Sequence, residues 1–536
     1  MSGNKMLKGA TVLAAAGLIV KLMGVFFRIP LANIVSSEGL SYYGSVYPIY
    51  AYFLILSTTG IPVAISKMVA ERIAMKNYQG AHRVFKLALL LMSVIGFATF
   101  CVFYFFADFI EVSILSNKGT KLALQAIAPS LLLVPMMSAY RGYFQGRQNM
   151  NPTAISQIFE QFVRVVVGLT LVYALISYGD QVSIAGATFG CTAGAAAGLI
   201  VVVIIYLLNL KTFDRQDNIY REYNQRESKG SIMKRILTIS IPITIGASIS
   251  PLMGFIDSVV VLRRLQAMGL DKAAADDLWG GMSGFCSPLI SMPQVILGAI
   301  VISLVPIISA AYKLRNMGEV KENSNTAVRA TMAIAMPCAA GIFALSGPIF
   351  TLLFPSRLES ALAMVPTLRW LCPTIVIIGI MQVYIGILQG IDRQGKPVKN
   401  LLIGSLIKLV LTYVLVGTPL FNINGAVIGS IAGDLTATML CQRDLKKYIK
   451  YKPEYFSSFV KPFAASVIMG IGAFAAYKLI FQILGSNGLA TILAVFVGVV
   501  LYAVLVFMFK IITKEELMLL PKGDKIVKIV GKFVRW

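Results

Sequence analysis

Apolar residues run through this chain in long unbroken stretches, without the alternation of a half-buried strand or the narrow stripe of a surface helix. Fourteen stretches are long enough for a bilayer, which asks for about 20 residues per helix. Their approximate limits are 7–35, 44–66, 84–107, 121–140, 152–177, 183–210, 236–262, 286–311, 326–354, 361–390, 400–417, 422–440, 462–483 and 488–511. The predicted fold class is an all-α polytopic membrane protein. Only a short turn around Thr418, Pro419 and Asn422 divides the 400–440 pair. The first stretch is too long for the apolar part of a removable signal peptide, and another span soon follows it.

Composition agrees: 57% of the 536 residues are apolar, 13% are charged, and the mean hydropathy is +0.77. A soluble chain carries about 25% charged residues, so a soluble multidomain enzyme is excluded, as are disorder and a small disulfide scaffold. Charge then needs explaining, because 48 Lys and Arg stand against 24 Asp and Glu. With the N-terminus inside, 36 of the 48 fall in inner segments and six in outer loops. That is a strong positive-inside bias. It predicts a multi-pass cell-membrane protein with both termini cytoplasmic, and nucleic acid is not needed as a partner. Six cysteines sit singly in apolar stretches and His82 is the only histidine, so the spacing points to core thiols and to no metal.

The chain also repeats itself. Tyr140-Arg-Gly142-Tyr-Phe-Gln145-Gly146 matches Tyr384-Ile-Gly386-Ile-Leu-Gln389-Gly390 at an offset of 244, and Pro62 matches Pro306 at the same offset. Arg164 matches Lys408, and the ladder Gly186, Gly190, Gly194 matches Gly425, Gly429, Gly433 at an offset of 239. The ordered set predicts two parallel six-helix lobes, 1–210 and 236–441. A cytoplasmic linker, 211–235, reads as a solvated connector between them. Two further spans lie within 442–511, and a basic tail, 512–536, follows as an interfacial segment. Parallel repeats are a transporter architecture.

Charge at bilayer depth costs about 2.5–3.5 kcal/mol on insertion scales and so marks a cavity or a partner. Lys21 and Arg28, seven apart, share one face of the first span with no acidic residue in that helix. They suggest a cavity that receives an anion; snorkelling is the bland alternative. Lys67 closes the second span as a further cation or an interfacial anchor. Asp257 reads as counter-charge, as ion-coupling carboxylate, or as interfacial beside Arg263 and Arg264. Glu160 and Arg164, four apart, form an expected intrahelical pair or line a groove. Lys408 and Asp434, in neighbouring helices, either pair with each other or line a groove. Gly60, Pro62, Pro242, Pro251 and Pro306 are hinge candidates, because proline frees carbonyls that only protein or a cavity can satisfy in lipid.

The loops carry no GxxxxGK[ST] phosphate loop, zinc-protease motif or nucleophile elbow. No enzyme and no cofactor are predicted.

The segments Lys21-Leu-Met-Gly-Val-Phe-Phe-Arg28-Ile-Pro30, Gly60-Ile-Pro62-Val-Ala-Ile-Ser66-Lys67 and Tyr140-Arg-Gly-Tyr-Phe-Gln-Gly-Arg147-Gln-Asn-Met-Asn-Pro152, with Tyr384–Gly390, carry a family resemblance. In this order, across essentially the whole chain, they resemble the bacterial lipid II flippases, in the branch with the stage V sporulation protein B-like transporters. That branch lies within the MATE-like group of multidrug and oligosaccharidyl-lipid exporters, the MOP superfamily.

The resemblance implies alternating access between the two lobes, and an undecaprenyl-diphosphate-linked precursor as substrate, lipid II first. It implies a cationic cavity fed by the first, second and eighth spans, and a groove for the lipid tail along the last two. Lys21, Arg28 and Lys67 match the first- and second-span cations. The eighth span, 286–311, has no Arg or Lys, which leaves Arg263, Arg264 or backbone donors for the C-lobe contact. Membrane lipids, a coupling ion and cell-wall synthesis proteins are the other partners considered. Export of another lipid-linked saccharide for spore cortex or capsule, cation-coupled drug export, and a non-transporting cell-wall scaffold are the alternatives.

Overall fold

In lipid, backbone N–H and C=O groups must find partners within the segment, so long apolar stretches become helices. The computed structural model of the chain describes residues 2–220, 222 and 227–511. The tail 512–536 lies outside the described residues. By length and composition, thirteen described helical segments can cross a membrane.

Contacts divide the chain into two compact units, Met1–Gly284 and Phe285–Trp536. The first holds α1 (Ser2–Ile34), α2 (Ser37–Thr58), α3 (Gly60–Ala74), α4 (Tyr78–Phe105), α5 (Lys121–Gly146), α6 (Asn151–Leu175), α7 (Asp180–Ile219), α8 (Lys229–Ala267) and α9 (Lys272–Gly281). The second holds α10 (Ser287–Lys313), α11 (Met317–Ala344), α12 (Val365–Gly390), α13 (Gly395–Val416), α14 (Asn424–Ile449), α15 (Lys461–Leu484) and α16 (Asn487–Met508), with a short helix Ser346–Leu353 after α11. Local chemistry sets several starts. The side chains of Asn77, Asp271 and Asn316 accept the N–H of Gly80, Ala274 and Glu319, capping α4, α9 and α11.

Three sequence expectations change. The stretch expected as the twelfth span, 422–440, is the 26-residue helix α14, but it is not among the thirteen. Its glycines, threonines and Asp434 make it more polar than its neighbours. The second span is two helices, interrupted at Thr59; Pro62 stands in the first turn of α3, where its missing N–H costs nothing. By contrast α8 runs through Pro242 and Pro251, and α10 through Pro306, without a break.

The connector is more engaged than a solvated segment. At 40 residues, α7 is about 60 Å long, twice the hydrocarbon core, and it carries Lys211–Ile219 as helix. Phe213 is buried, with the Arg147 guanidinium 3.9 Å above its ring. Further on, Glu227 receives two bonds from the buried Arg72, at 2.6 and 2.7 Å. Arg72 also donates to the Met68 carbonyl at 2.9 Å.

Two helix seams share one design. In the first unit a Cβ on Gly190 would lie 2.7 Å from the Arg164 carbonyl oxygen, and one on Gly194 would lie 2.5 Å from that of Glu160. In the second unit a Cβ on Gly429 would lie 3.2 Å from the Lys408 carbonyl oxygen, and one on Gly433 would lie 2.7 Å from that of Gly404. Residues 404 and 408 are 160 and 164 moved by the repeat offset. Backbone therefore touches backbone in α6–α7 and in α13–α14, which only glycine permits.

Candidate substrate-binding site

The first unit brings two guanidinium groups onto one tyrosine. Arg28 of α1 lies 5.6 Å from the centre of the Tyr47 ring, and Arg164 of α6 lies 5.1 Å from it. Tyr43, one turn earlier on α2, stacks on Tyr47 at 5.4 Å and 9°, while Phe27 closes on Tyr43 at 6.1 Å. The local sequence explains the approach. Phe27 of α1 packs on Gly168 of α6, where a Cβ would come within 2.9 Å of the ring. Tyr43, Tyr47 and Tyr50 follow the i, i+4, i+7 spacing that puts them on one helix face.

Among the described residues neither Arg28 nor Arg164 is paired with a carboxylate. The expected Glu160–Arg164 pair does not form. Glu160 instead takes Arg141 of α5 at 2.9 Å, and Arg141 also donates to the Ser156 hydroxyl at 2.9 Å. The reason is directional: Glu160 faces α5, while the longer Arg164 turns toward α2. Two such cations against stacked phenols can receive a doubly charged anion in a bidentate manner, which is guanidinium rather than ammonium chemistry.

The remaining candidates are dispersed. Lys21 is exposed on α1 and Lys67 on α3, each without an ion-pair partner among the described residues. Asp257 is half-buried on α8; two turns later Arg263 is exposed and Arg264 half-buried. In the second unit Lys408 and Asp434 are both buried, 4% and 7% exposed, on the facing helices α13 and α14. The hinge candidates converge in part. A Cβ on Gly60 would collide with the Ser240 carbonyl and the Thr244 hydroxyl of α8, beside Pro242, and one on Gly142 would lie 2.8 Å from the Pro62 carbonyl. Tyr47, Arg141 and the role of Arg164 at the ring were missed, although the tyrosine spacing on α2 was a usable signal.

The second unit contains an apolar cavity of about 540 Å³ between α10, α11, α15 and α16, lined by Met292, Pro293, Ile334, Pro337, Val495 and Tyr502 among others. Pro337 cannot bond the carbonyl four residues back, that of Ala333. The Tyr502 hydroxyl of α16 donates to it instead, at 2.8 Å. The carbonyl that Pro337 leaves free in the wall helix is thus satisfied by the last described helix. Among the described residues no cluster of three His, Cys, Asp or Glu could hold a metal.

Comparison with known proteins gives this arrangement its context. The model of the family described as polysaccharide biosynthesis protein matches residues 6–312, more than half of the chain. The chain belongs to that family. A second family model, MatE, matches residues 279–414. Stage V sporulation protein B of Bacillus subtilis is 26% identical, with 100% of each chain covered. Lipid II flippase MurJ of the same organism is 27% identical, covering 90% of this chain and 89% of its own. A solved structure of lipid II flippase MurJ in an inward closed conformation superposes with a TM-score of 0.69 at 14% identity, covering 93% of this chain and 98% of that one, and so shares the fold. The chain is a polytopic membrane transporter, related both to lipid II flippases and to MATE exporters.

Proposed function

We propose that the protein carries an undecaprenyl-diphosphate-linked saccharide, lipid II in the first instance, from the inner to the outer leaflet by alternating access. The observation that carries this reading is the pair of guanidiniums, Arg28 and Arg164, on the Tyr47 ring without a carboxylate between them. A diphosphate supplies the two charges and the paired oxygens such a site accepts. Lys21, two turns from Arg28, extends the cationic face; Lys67, Arg263 and Arg264 serve entry and release, and Asp257 competes for the cations. The apolar cavity along α15 and α16 suits the hydrocarbon tail. With both termini cytoplasmic, membrane potential acts on the moving charge by about 2.3 kcal/mol per elementary charge per 100 mV.

Depletion in the host, with redundant flippases removed, followed by labelling of outer-leaflet lipid II tests this. Outer-leaflet lipid II should fall; an unchanged rate of appearance would refute it. A second reading, export of a spore-cortex saccharide, draws support from the end-to-end likeness to stage V sporulation protein B. It predicts normal vegetative labelling and a cortex defect. Cation-coupled drug export asks for an acidic cavity, and two guanidiniums with no carboxylate partner among the described residues argue against it.

A further inference from the structure

On the other side of the α11–α15 contact lies a second recess, about 440 Å³, lined by Ala340, Phe343, Ala344, Arg369, Ile471 and Phe474 among others. Gly470 of α15 lies at its floor against α11, where a Cβ would make an ordinary contact, 3.4 Å, with the Ala340 carbonyl oxygen. Its walls are large apolar side chains that no part of the described protein covers: Phe343 is 52% exposed and Ile471 is 67% exposed. At one end stands Arg369, in the first turns of α12. Its Nε donates to the Ser346 hydroxyl at 3.0 Å and its guanidinium lies 5.6 Å from the Phe343 ring.

That anchoring differs from simple snorkelling. A cation reaching for water leaves its head free, whereas this guanidinium is tied at Nε and leaned on a ring, so its two terminal nitrogens are held at the recess. Among the described residues no carboxylate pairs with Arg369. The lining holds no acidic side chain either, so nothing there would attract the amine of a zwitterionic headgroup. Charge complementarity and shape therefore select one occupant.

We propose that this recess binds an anionic phospholipid, with one acyl chain against Phe343, Ile471 and Phe474 and the phosphate accepting hydrogen bonds from Arg369. The site is separate from the 540 Å³ cavity and does not depend on which saccharide the protein carries.

The test uses the full chain in phosphatidylcholine nanodiscs, with a Phe474→Trp reporter and brominated lipids as quenchers. The fluorescence of the unsubstituted chain is subtracted. Brominated phosphatidylglycerol should quench the added tryptophan more strongly than brominated phosphatidylcholine at equal mole fraction. Arg369→Gln should cut that preference about fivefold, the worth of one interfacial cation, and Arg369→Lys should keep most of it. Millimolar glycerol 3-phosphate should not reverse the quenching, because a headgroup alone does not fill the recess. Equal quenching by the two lipids, an unchanged preference in Arg369→Gln, or reversal by glycerol 3-phosphate would each overturn the proposal. Should Phe474→Trp fold poorly, lipid retained by the otherwise unsubstituted chain and by Arg369→Gln, read by native mass spectrometry, decides the same question: equal retention of phosphatidylglycerol refutes it.

Discussion

Replacing Gly190 by alanine tests the helix seam of the first unit. Alanine is the better helix former by about 1 kcal/mol, so propensity alone predicts a gain. Geometry predicts a loss. The new Cβ would lie 2.7 Å from the Arg164 carbonyl oxygen and 2.7 Å from the Gly168 Cα, both backbone atoms, well inside the 3.4 Å at which ordinary contact begins. Neither can rotate away, so α6 and α7 must separate, and overpacking of this kind costs about 1–3 kcal/mol. The expected net is a loss of about 1–2 kcal/mol, read as a lower melting temperature in detergent. Gly429→Ala in the second unit should cost less, because only the Thr412 hydroxyl lies inside 3.0 Å, while the backbone atoms, Thr412 N at 3.0 Å and the Lys408 carbonyl oxygen at 3.2 Å, need give only a few tenths of an ångström. Gly17→Ala meets nothing within 4 Å and should be neutral or stabilising. A Gly190→Ala protein as stable as Gly17→Ala would refute the argument that backbone contact holds this seam.

Three further outcomes follow from the sites. Arg164→Lys should fail to restore the transport lost in Arg164→Gln, measured by complementation at matched expression, because an ammonium cannot lie flat on Tyr47 while offering paired donors; full activity of Arg164→Gln would remove it from the site. Arg141→Ala leaves Glu160 partly buried without its cation and should cost about 1–3 kcal/mol of stability. Much of that should return in the Arg141→Ala/Glu160→Gln double variant, and a double variant as unstable as the single one would count against the pair. Tyr502→Phe removes the donor to the Ala333 carbonyl and should lower stability by about 1 kcal/mol; a melting temperature unchanged from that of the unsubstituted protein would refute the role of this bond.

The spans were legible in the sequence because a bilayer demands long apolar runs, and the seams because glycines recur at four-residue spacing. The break at Thr59 was legible only as a neighbourhood, since Gly60 and Pro62 mark weakness without saying which residue yields. Arg28 stood out as a charge in an apolar helix. Arg164 was assigned to the wrong partner for a physical reason: i,i+4 spacing makes a pair with Glu160 available, but Arg141 of α5 lies closer to that carboxylate. Such competition between local and distant partners is set by packing, which spacing along one helix does not contain. The engaged connector was missed likewise. Its charges suggest solvent, yet Glu227 is the partner of a buried arginine more than 150 residues away.

The glycine seams have a mechanical consequence. Two helices in backbone contact along a shared edge bend as one beam, and a beam of doubled width resists flexing far more than either rod alone. In each unit, then, α6 with α7 and α13 with α14 act as girders that transmit displacement without absorbing it. Compliance must collect where a single strand of chain bridges stiff parts, as at the Thr59 joint between α2 and α3, which lies twelve residues along the chain from Tyr47. On the proposed reading, a load applied at the tyrosine by an arriving anion would thereby be delivered to the joint.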